Sequence, residues 1–275
     1  MLPLSAWPIN ARRNIIGVFT DIDDTLTTEG TITADALQAL RDLKAAGLHV
    51  IAITGRPVGW SEPFARSWPV DAIVAENGSV ALINNKQTGL QPNKIERKQL
   101  LKLYQQDAAI RAANYSKMQQ VLAQIEREVP GAQRSTDSPG RETDIAIDHS
   151  EFTHLPPQRI AQVVQRMQQA GMHATVSSIH INAWYGEHNK LQGARWIAQQ
   201  LYGRSLDGEM DQWAYIGDST NDQVMFEAFT HSVGVANIAR FVPQLAHLPR
   251  YVTQGERGAG FRQFCDALMA ARTQK

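Results

Sequence analysis

The sequence predicts an α/β fold: a doubly wound parallel sheet as the core, with an α+β insert in the middle of the chain. Three observations predict it. Short, wholly apolar runs alternate with amphipathic stretches at both ends of the chain, the pattern of strands covered on both faces by helices. Between about residues 85 and 185 the pattern changes to half-buried alternation and longer amphipathic helices, as in an antiparallel sheet with helices on one face. The length, 275 residues, is enough for a core plus an inserted second domain. The expected division is a core of residues 1–84 and 186–275 and an insert of residues 85–185.

Asn14 to Thr20 ("NIIGVFT") is a buried strand. "TADALQALRDLKAAG" is a helix, with Thr33 at its N-cap and Gly47 as its stop. Leu48 to Thr54 and Val70 to Glu76 are further buried strands. "AENGSVALIN" is a hairpin that turns at Asn77-Gly78. A stretch rich in Lys and Gln leads to a helix over Ser116 to Val129. Thr143 to Asp148 alternates as a half-buried strand, Pro156 to Gly171 is an amphipathic helix, and Ala174 to Gly186 alternates again. After "HNKLQGARWIAQQL" the buried strands return at Trp213 to Gly217 and Ser232 to Val235.

Composition narrows the function. Lys plus Arg is 27 and Asp plus Glu is 27, so the net charge is zero. Neither a nucleic-acid groove nor an anionic membrane is indicated as the main partner. The one cysteine, Cys265, allows no internal disulfide and no cysteine zinc site, and reads as a buried structural thiol. No apolar stretch approaches the roughly 18 residues of a membrane span. The start lacks the basic-then-apolar order of a signal peptide, and a cytoplasmic location is expected.

The chemistry lies at strand ends. In an open parallel sheet, ligands bind beyond the carboxyl ends of the strands. There the first strand delivers Asp21 and Asp23, the second delivers Thr54 and Gly55 within "TGRP", and "WAYIG" delivers Asp218, Asn221 and Asp222 within "DSTND". Aspartates crowded at converging strand ends need a cation to coexist, and an oxygen-only set suits Mg²⁺, which takes one or two carboxylates together with substrate phosphate. Asp21 and Asp218 would hold it, with Asp23 and Asp222 as further candidates. The alternative is that these aspartates only cap helices and form turns.

"DIDDTLT", "ITGRP", the isolated Lys190 ahead of a helix and "GDSTND" together resemble the four ordered motifs of the haloacid dehalogenase-like (HAD) phosphohydrolase superfamily. The resemblance covers nearly the whole chain. The place and α+β pattern of the insert resemble the type IIB caps of the Cof-type and sugar-phosphate phosphatases. One departure is Asp24, where many members have glycine. The resemblance implies that Asp21 is a nucleophile forming an aspartyl-phosphate and that Asp23 is the acid/base. It implies that Thr54 and the Gly55 N–H bind phosphate oxygens, and that Lys190 binds another and keeps Asp21 ionised. Asn221 would donate to the phosphate or fix its motif. Lys190 has a reason beyond solvation to stand at a helix start, where a cation opposes the helix dipole. Thr25 would fix its loop by a hydrogen bond, Asp24 would point away, and Arg56 would touch substrate or simply lie at the surface.

Specificity would come from the insert. Strand periodicity in "SSIHINAWY" puts Ile179, Ile181 and Ala183 on one face and Ser178, His180, Asn182 and Trp184 on the other. Hydroxyl-binding side chains with one aromatic suit a sugar or other polyol, and Arg141 and Glu142 are further candidates for substrate contact. The expected function is therefore a Mg²⁺-dependent phosphatase acting on a small phosphorylated metabolite, with a sugar phosphate favoured. A phosphomutase of the phosphomannomutase type is the alternative. A non-catalytic phosphometabolite sensor is a third reading, disfavoured because Asp21 and Asp23 are both present.

Overall fold

The structure is a computed structural model that describes residues 1–84 and 100–273. Part of the expected Lys- and Gln-rich stretch lies outside the described residues. Nine strands form the large sheet, in the order Leu2–Pro3, Tyr251–Val252, His231–Gly234, Trp213–Gly217, Gly17–Thr20, His49–Ile53, Ala72–Ala75, Val80–Asn84 and Leu100–Tyr104. The first seven run parallel; Val80–Asn84 then pairs antiparallel with both Ala72–Ala75 and Leu100–Tyr104.

Two apolar layers flank this sheet because successive strand residues point to opposite faces. Val18, Val50, Ala52 and Ile73 pack with the helices Ala34–Ala45 and Arg257–Thr273. Phe19, Ile51, Ile53 and Val74 pack with the helices Lys190–Tyr202 and Gln223–Ala228. The core is thus doubly wound, as the apolar runs predict. The helix Ala34–Ala45 buries Ala36, Ala39, Leu40 and Leu43 and is followed by Gly47 at φ 78°. Thr33 holds the N-cap position in extended conformation, but its side chain makes no capping hydrogen bond.

A second, antiparallel sheet has the order His173–Val176, His180–Trp184, Ile145–Asp148 and Gln133–Arg134. Its apolar residues Ile145, Ile147, Ile181 and Ala183 pack with Met118, Leu122 and Ile125 of the helix Ala108–Glu128 and with Val163 and Met167 of the helix Pro157–Gln169.

Two expectations need correction. Leu100–Tyr104, assigned to the insert by its position, forms the edge of the large sheet against Val80–Asn84. Leu103 packs on one face of that sheet, and Leu100 and Tyr104 on the other, which draws the segment there. The second sheet is built from the chain beyond Tyr104. The run Ala174 to Gly186 is not one alternating strand but a hairpin with a turn at 177–179, so Ile179 leaves the buried face.

The joint between the two sheets is compact. The hairpin after Ala72–Ala75 turns through Glu76, Asn77 and Gly78 at φ 49°, 54° and 110°. A side chain on Gly78 would meet the Asn189 carbonyl oxygen at 2.3 Å, so that turn needs glycine for space as well as for φ. The fully buried Glu76 carboxylate accepts the N–H groups of Val58, Glu142 and Thr143 and the Thr143 hydroxyl. Gly59 and Gly140 meet backbone to backbone: a Cβ on Gly59 would lie 2.8 Å from the Gly140 Cα.

Glu76→Gln would turn an NH₂ group toward donors that now find a carboxylate. A buried donor left without an acceptor costs about 1–3 kcal/mol. We expect the melting temperature to fall by roughly 5 °C, because 1 kcal/mol shifts it by about 2–4 °C at this size. Calorimetry that finds no change would show that the Glu76 carboxyl is already protonated. Burial favours the protonated form and pushes this pKa up, against the hydrogen bonds from Thr143 and the charge of Arg141.

Candidate active site

Asp21 sits one residue beyond the strand Gly17–Thr20, and its N–H donates to the Ile216 carbonyl of the neighbouring strand. Lys190 opens the helix Lys190–Tyr202, whose N-cap residue Asn189 accepts the Gln192 N–H. The Lys190 ammonium is buried and donates to Asp21 Oδ1 and Asp222 Oδ1, both at 2.6 Å. This is the reason beyond solvation that its position at a helix start calls for. Burial by itself would lower the Lys190 pKa, but the charges of Asp21 and Asp222 outweigh it and raise it.

Asp21, Asp218 and Asp222 are all buried, and each brings a carboxylate oxygen within 4.8 Å of the others. Burial pushes the Asp21 carboxyl up to about 8; Lys190 opposes this, and Asp222 and Asp23 add to it. Asp218 is driven well above the ordinary carboxylate range by burial, with Asp21 and Asp222 adding.

The three carboxylates are engaged differently. Asp222 Oδ2 accepts the N–H groups of Asp218 and Ser219, and Oδ1 takes Lys190 and the Tyr215 hydroxyl. Both of its oxygens are committed to holding the loop and the lysine. Asp218 Oδ2 accepts from Asn237 and Arg240, at 3.0 and 3.2 Å. Asp218 Oδ1, by contrast, is buried with no hydrogen-bond partner among the described residues. An unpartnered buried carboxylate oxygen beside a second carboxylate fits a hard divalent cation, which would offset the repulsion that drives both groups upward. Asp21 and Asp218 are the residues placed to hold it.

Asp23 lies outside this cluster. Its carboxylate is paired with Arg56, whose Nε donates to both oxygens at 3.0 Å. Arg56 is buried rather than a surface arginine, and it also reaches Glu151 at 2.7 Å and Asp137 at 3.3 Å across the joint. Thr54 and Gly55 follow the strand His49–Ile53; the Thr54 hydroxyl accepts the Arg56 N–H. Asn221 accepts from Ser219 and, at 3.4 Å, from Lys190.

These residues share one small pocket. Asp21, Asp23, Thr54, Gly55, Arg56, Ser219 and Asn221 line it from the large sheet, and Ser177, Ser178, Ile179, His180 and Asn182 line it from the second sheet. Its volume is about 10 Å³. That is room for one water-sized group.

The insert candidates separate. His180 and Asn182 reach the pocket. His180 pairs through Nε2 with Glu151 at 2.9 Å, and the Asn182 amide donates to the Gly55 carbonyl at 3.3 Å and to Asp144 at 3.1 Å. Arg141 is buried and spends its guanidinium on Asp137, Asp144 and the Gly55 carbonyl, so it braces the site. Glu142 turns away to Lys102 and Tyr104. Trp184 does not line the pocket. The chain beyond its strand folds back beneath it, its indole N–H donates to the His188 carbonyl, and its ring stacks on His188 at 5.3 Å.

Loop residues also depart from expectation. The Thr25 hydroxyl is buried without a partner among the described residues. Thr27 does the fixing instead, donating to the Ile22 carbonyl and accepting the Asp24 N–H. Asp24 stands at φ 55°, the left-handed conformation that glycine adopts most readily. Its carboxylate is held by Arg240 at 2.6 Å and Arg257 at 3.0 Å. Sequence reasoning missed Glu151, Asp137, Asn237 and Arg240. Asn237 follows the parallel strand His231–Gly234 by three residues, the same rule of place that marks Asp23, and could have been found by it; the other three lie in no motif.

Comparison with known proteins agrees with this arrangement. The family model for haloacid dehalogenase-like hydrolases matches residues 18–254. A Streptococcus pyogenes serotype M6 protein named as a candidate phosphatase is 24% identical over 267 residues, covering 88% of this chain and 94% of that one. A HAD/Cof-like hydrolase from Plasmodium vivax superposes with a TM-score of 0.66 at 15% identity, over 96% of this chain and 99% of the other. The sucrose-phosphatase of Synechocystis sp. PCC6803, solved with sucrose and phosphate, superposes at 0.64 with 16% identity, over 94% and 98%. At such identities the structural likeness is one of fold, whereas the family match spans most of the sequence, including the segments that carry Asp21, Thr54, Lys190 and Asp218. The chain belongs to the haloacid dehalogenase-like hydrolases.

Proposed function

We propose that the protein is a Mg²⁺-dependent phosphatase of a small phosphorylated metabolite, a sugar phosphate, working through an aspartyl-phosphate on Asp21. The observation that carries this is the pairing of Asp21 with buried Lys190 in a pocket shared with Asp23, Thr54 and Gly55. Asp21 attacks phosphorus, and its new P–O bond forms as the ester P–O bond breaks. Asp23 gives its proton to the leaving alkoxide. Asp23 then takes a proton from water, the water oxygen bonds to phosphorus, and the Asp21–phosphorus bond breaks. This releases phosphate and restores both carboxyl groups.

Thr54, the Gly55 N–H and Lys190 bind the equatorial oxygens, which carry the spread charge of the transition state. Asp21 and Asp218 would hold Mg²⁺, which when bound supplies charge stabilisation to the phosphoryl group. The second sheet acts as a cap that excludes water when closed, and Arg56 joins the acid/base Asp23 to cap residues Glu151 and Asp137. A sucrose-phosphatase on the same fold supports a sugar phosphate as substrate, by analogy of fold. A mutase would need a cap cation free for a second phosphate, and Arg141, the cap arginine that reaches the Gly55 carbonyl, is already committed to Asp137 and Asp144.

A phosphate-release assay over phosphorylated sugars and glycerates tests the reading. Chelation should remove activity and Mg²⁺ should restore it. Asp218→Asn should raise the Mg²⁺ needed for half-maximal rate by at least about tenfold, since even outer-shell changes cost metals 10–100-fold. Full activity in chelator would refute the metal assignment.

A further inference from the structure

A cleft of about 610 Å³ lies beside the tight pocket around Asp21, on its Asp23 side. That falls within the roughly 300–1,000 Å³ typical of small-molecule sites. Asp23, Arg56, Ser178 and Ile179 border both spaces, so this cleft is the nearest room for the group that leaves beside Asp23. Its cap wall is the turn after the strand Ile145–Asp148, which contributes Glu151 and Phe152, together with Ser178 and Ile179.

Two features set this turn apart. Phe152 is 68% exposed, the one aromatic among the strongly exposed large apolar side chains of the described residues. A single exposed apolar residue is ordinary on a surface. This one, however, stands on a rigid support. The buried Asp148 carboxylate accepts four successive N–H groups, those of Ser150, Glu151, Phe152 and Thr153, at 2.9–3.1 Å. Ser150 also donates to the Ser178 carbonyl at 2.6 Å, tying the turn to the neighbouring hairpin. Four amides on one carboxylate fix the backbone, so Phe152 is held at the cleft wall. An aromatic ring in one cleft with polar side chains such as Glu29, His154 and Ser178 offers a sugar both kinds of contact, C–H on the ring and O–H at the edge.

We propose that the Asp148–Thr153 turn is the specificity-determining loop and that Phe152 is the platform on which the ring of the leaving sugar stacks. This deepens the sugar-phosphate reading and rests on it. It moves the aromatic contact from Trp184, which is buried elsewhere, to the turn beyond the strand Ile145–Asp148.

The test compares kcat/KM of wild type, Phe152→Ala and Phe152→Tyr on a panel of sugar monophosphates and on acetyl phosphate, which has no ring. In Phe152→Ala the ratio of sugar ester to acetyl phosphate should fall about tenfold, carried by KM, since an aromatic face is lost from the binding cleft. Phe152→Tyr, which keeps the ring, should hold the ratio within about twofold. An unchanged ratio in Phe152→Ala, with wild type hydrolysing sugar phosphates, overturns the loop assignment alone. A wild type that hydrolyses acetyl phosphate and no sugar phosphate overturns the sugar reading and the inference with it.

Discussion

Asp21→Asn should reduce phosphate release by at least about a thousandfold while leaving the fold intact, which is what loss of a nucleophile alone produces. The substitution keeps the shape and the hydrogen-bonding reach of the side chain. It removes the lone-pair charge that attacks phosphorus, and neither Asp222 nor Asp23 is free to replace it. Asp222 has both oxygens engaged by Lys190, Tyr215 and two backbone amides. Asp23 is turned to Arg56. Folding should survive because asparagine keeps the size of aspartate and Lys190 keeps Asp222 as its counter-charge. An amide in its place adds no charge to bury. Circular dichroism and a thermal melt establish the fold, and a single-turnover assay for phosphate reads the chemistry. Turnover near wild type by a folded Asp21→Asn protein would sink the aspartyl-phosphate mechanism.

Lys190→Met should damage both activity and stability. The ammonium is the shared counter-charge of two buried carboxylates, at 2.6 Å from each. Breaking a buried pair by removing one partner typically costs about 3–5 kcal/mol. At this chain length that corresponds to a fall of about 10 °C in the melting temperature, from roughly 2–4 °C per kcal/mol. Activity should drop by at least about a hundredfold, as with loss of a preorganised donor to developing charge. Lys190→Arg should not restore it, because the site seats a compact ammonium and a planar guanidinium is broader. A Lys190→Met protein with wild-type stability would mean that the carboxylates hold the pocket without it.

The core site was legible because its residues follow a rule of place. A buried parallel strand reads as an apolar run, and the polar residues directly after it must lie at the carboxyl edge. Asp21, Thr54 and Asp218 are each the first residue beyond such a run, and the structure brings Thr54 into one pocket with Asp21, and Asp218 into one carboxylate cluster with it. The second sheet was legible as a type of structure but not as a set of contacts. Ser177–Ile179 reads as part of an alternating run, because serines and isoleucine continue the polar–apolar pattern through the turn. Glu151 meets Arg56 across 95 residues of sequence, and nothing local to either announces a partner at that range. Periodicity says which face a strand residue occupies but not what lies opposite that face. That is why Asn182 could be placed, while Trp184, at the end of its strand, could not.

The bare contact between Gly59 and Gly140 bears on how this protein could be recombined with its relatives. One glycine belongs to the helix Val58–Ser67 beside the large sheet, the other to the segment that enters the second sheet; a methyl group on Gly59 has no room, and one on Gly140 would be tight. The two halves therefore form a matched lock. A chimera that imports the second sheet of another member brings whatever residue that member carries at the equivalent of Gly140. Any side chain there meets the Gly59 backbone at about 3.0 Å, so the joint must give by a few tenths of an ångström to admit it. Exchange of specificity between members should accordingly succeed by transplanting single turns, and should fail by transplanting whole inserts unless both glycines travel together.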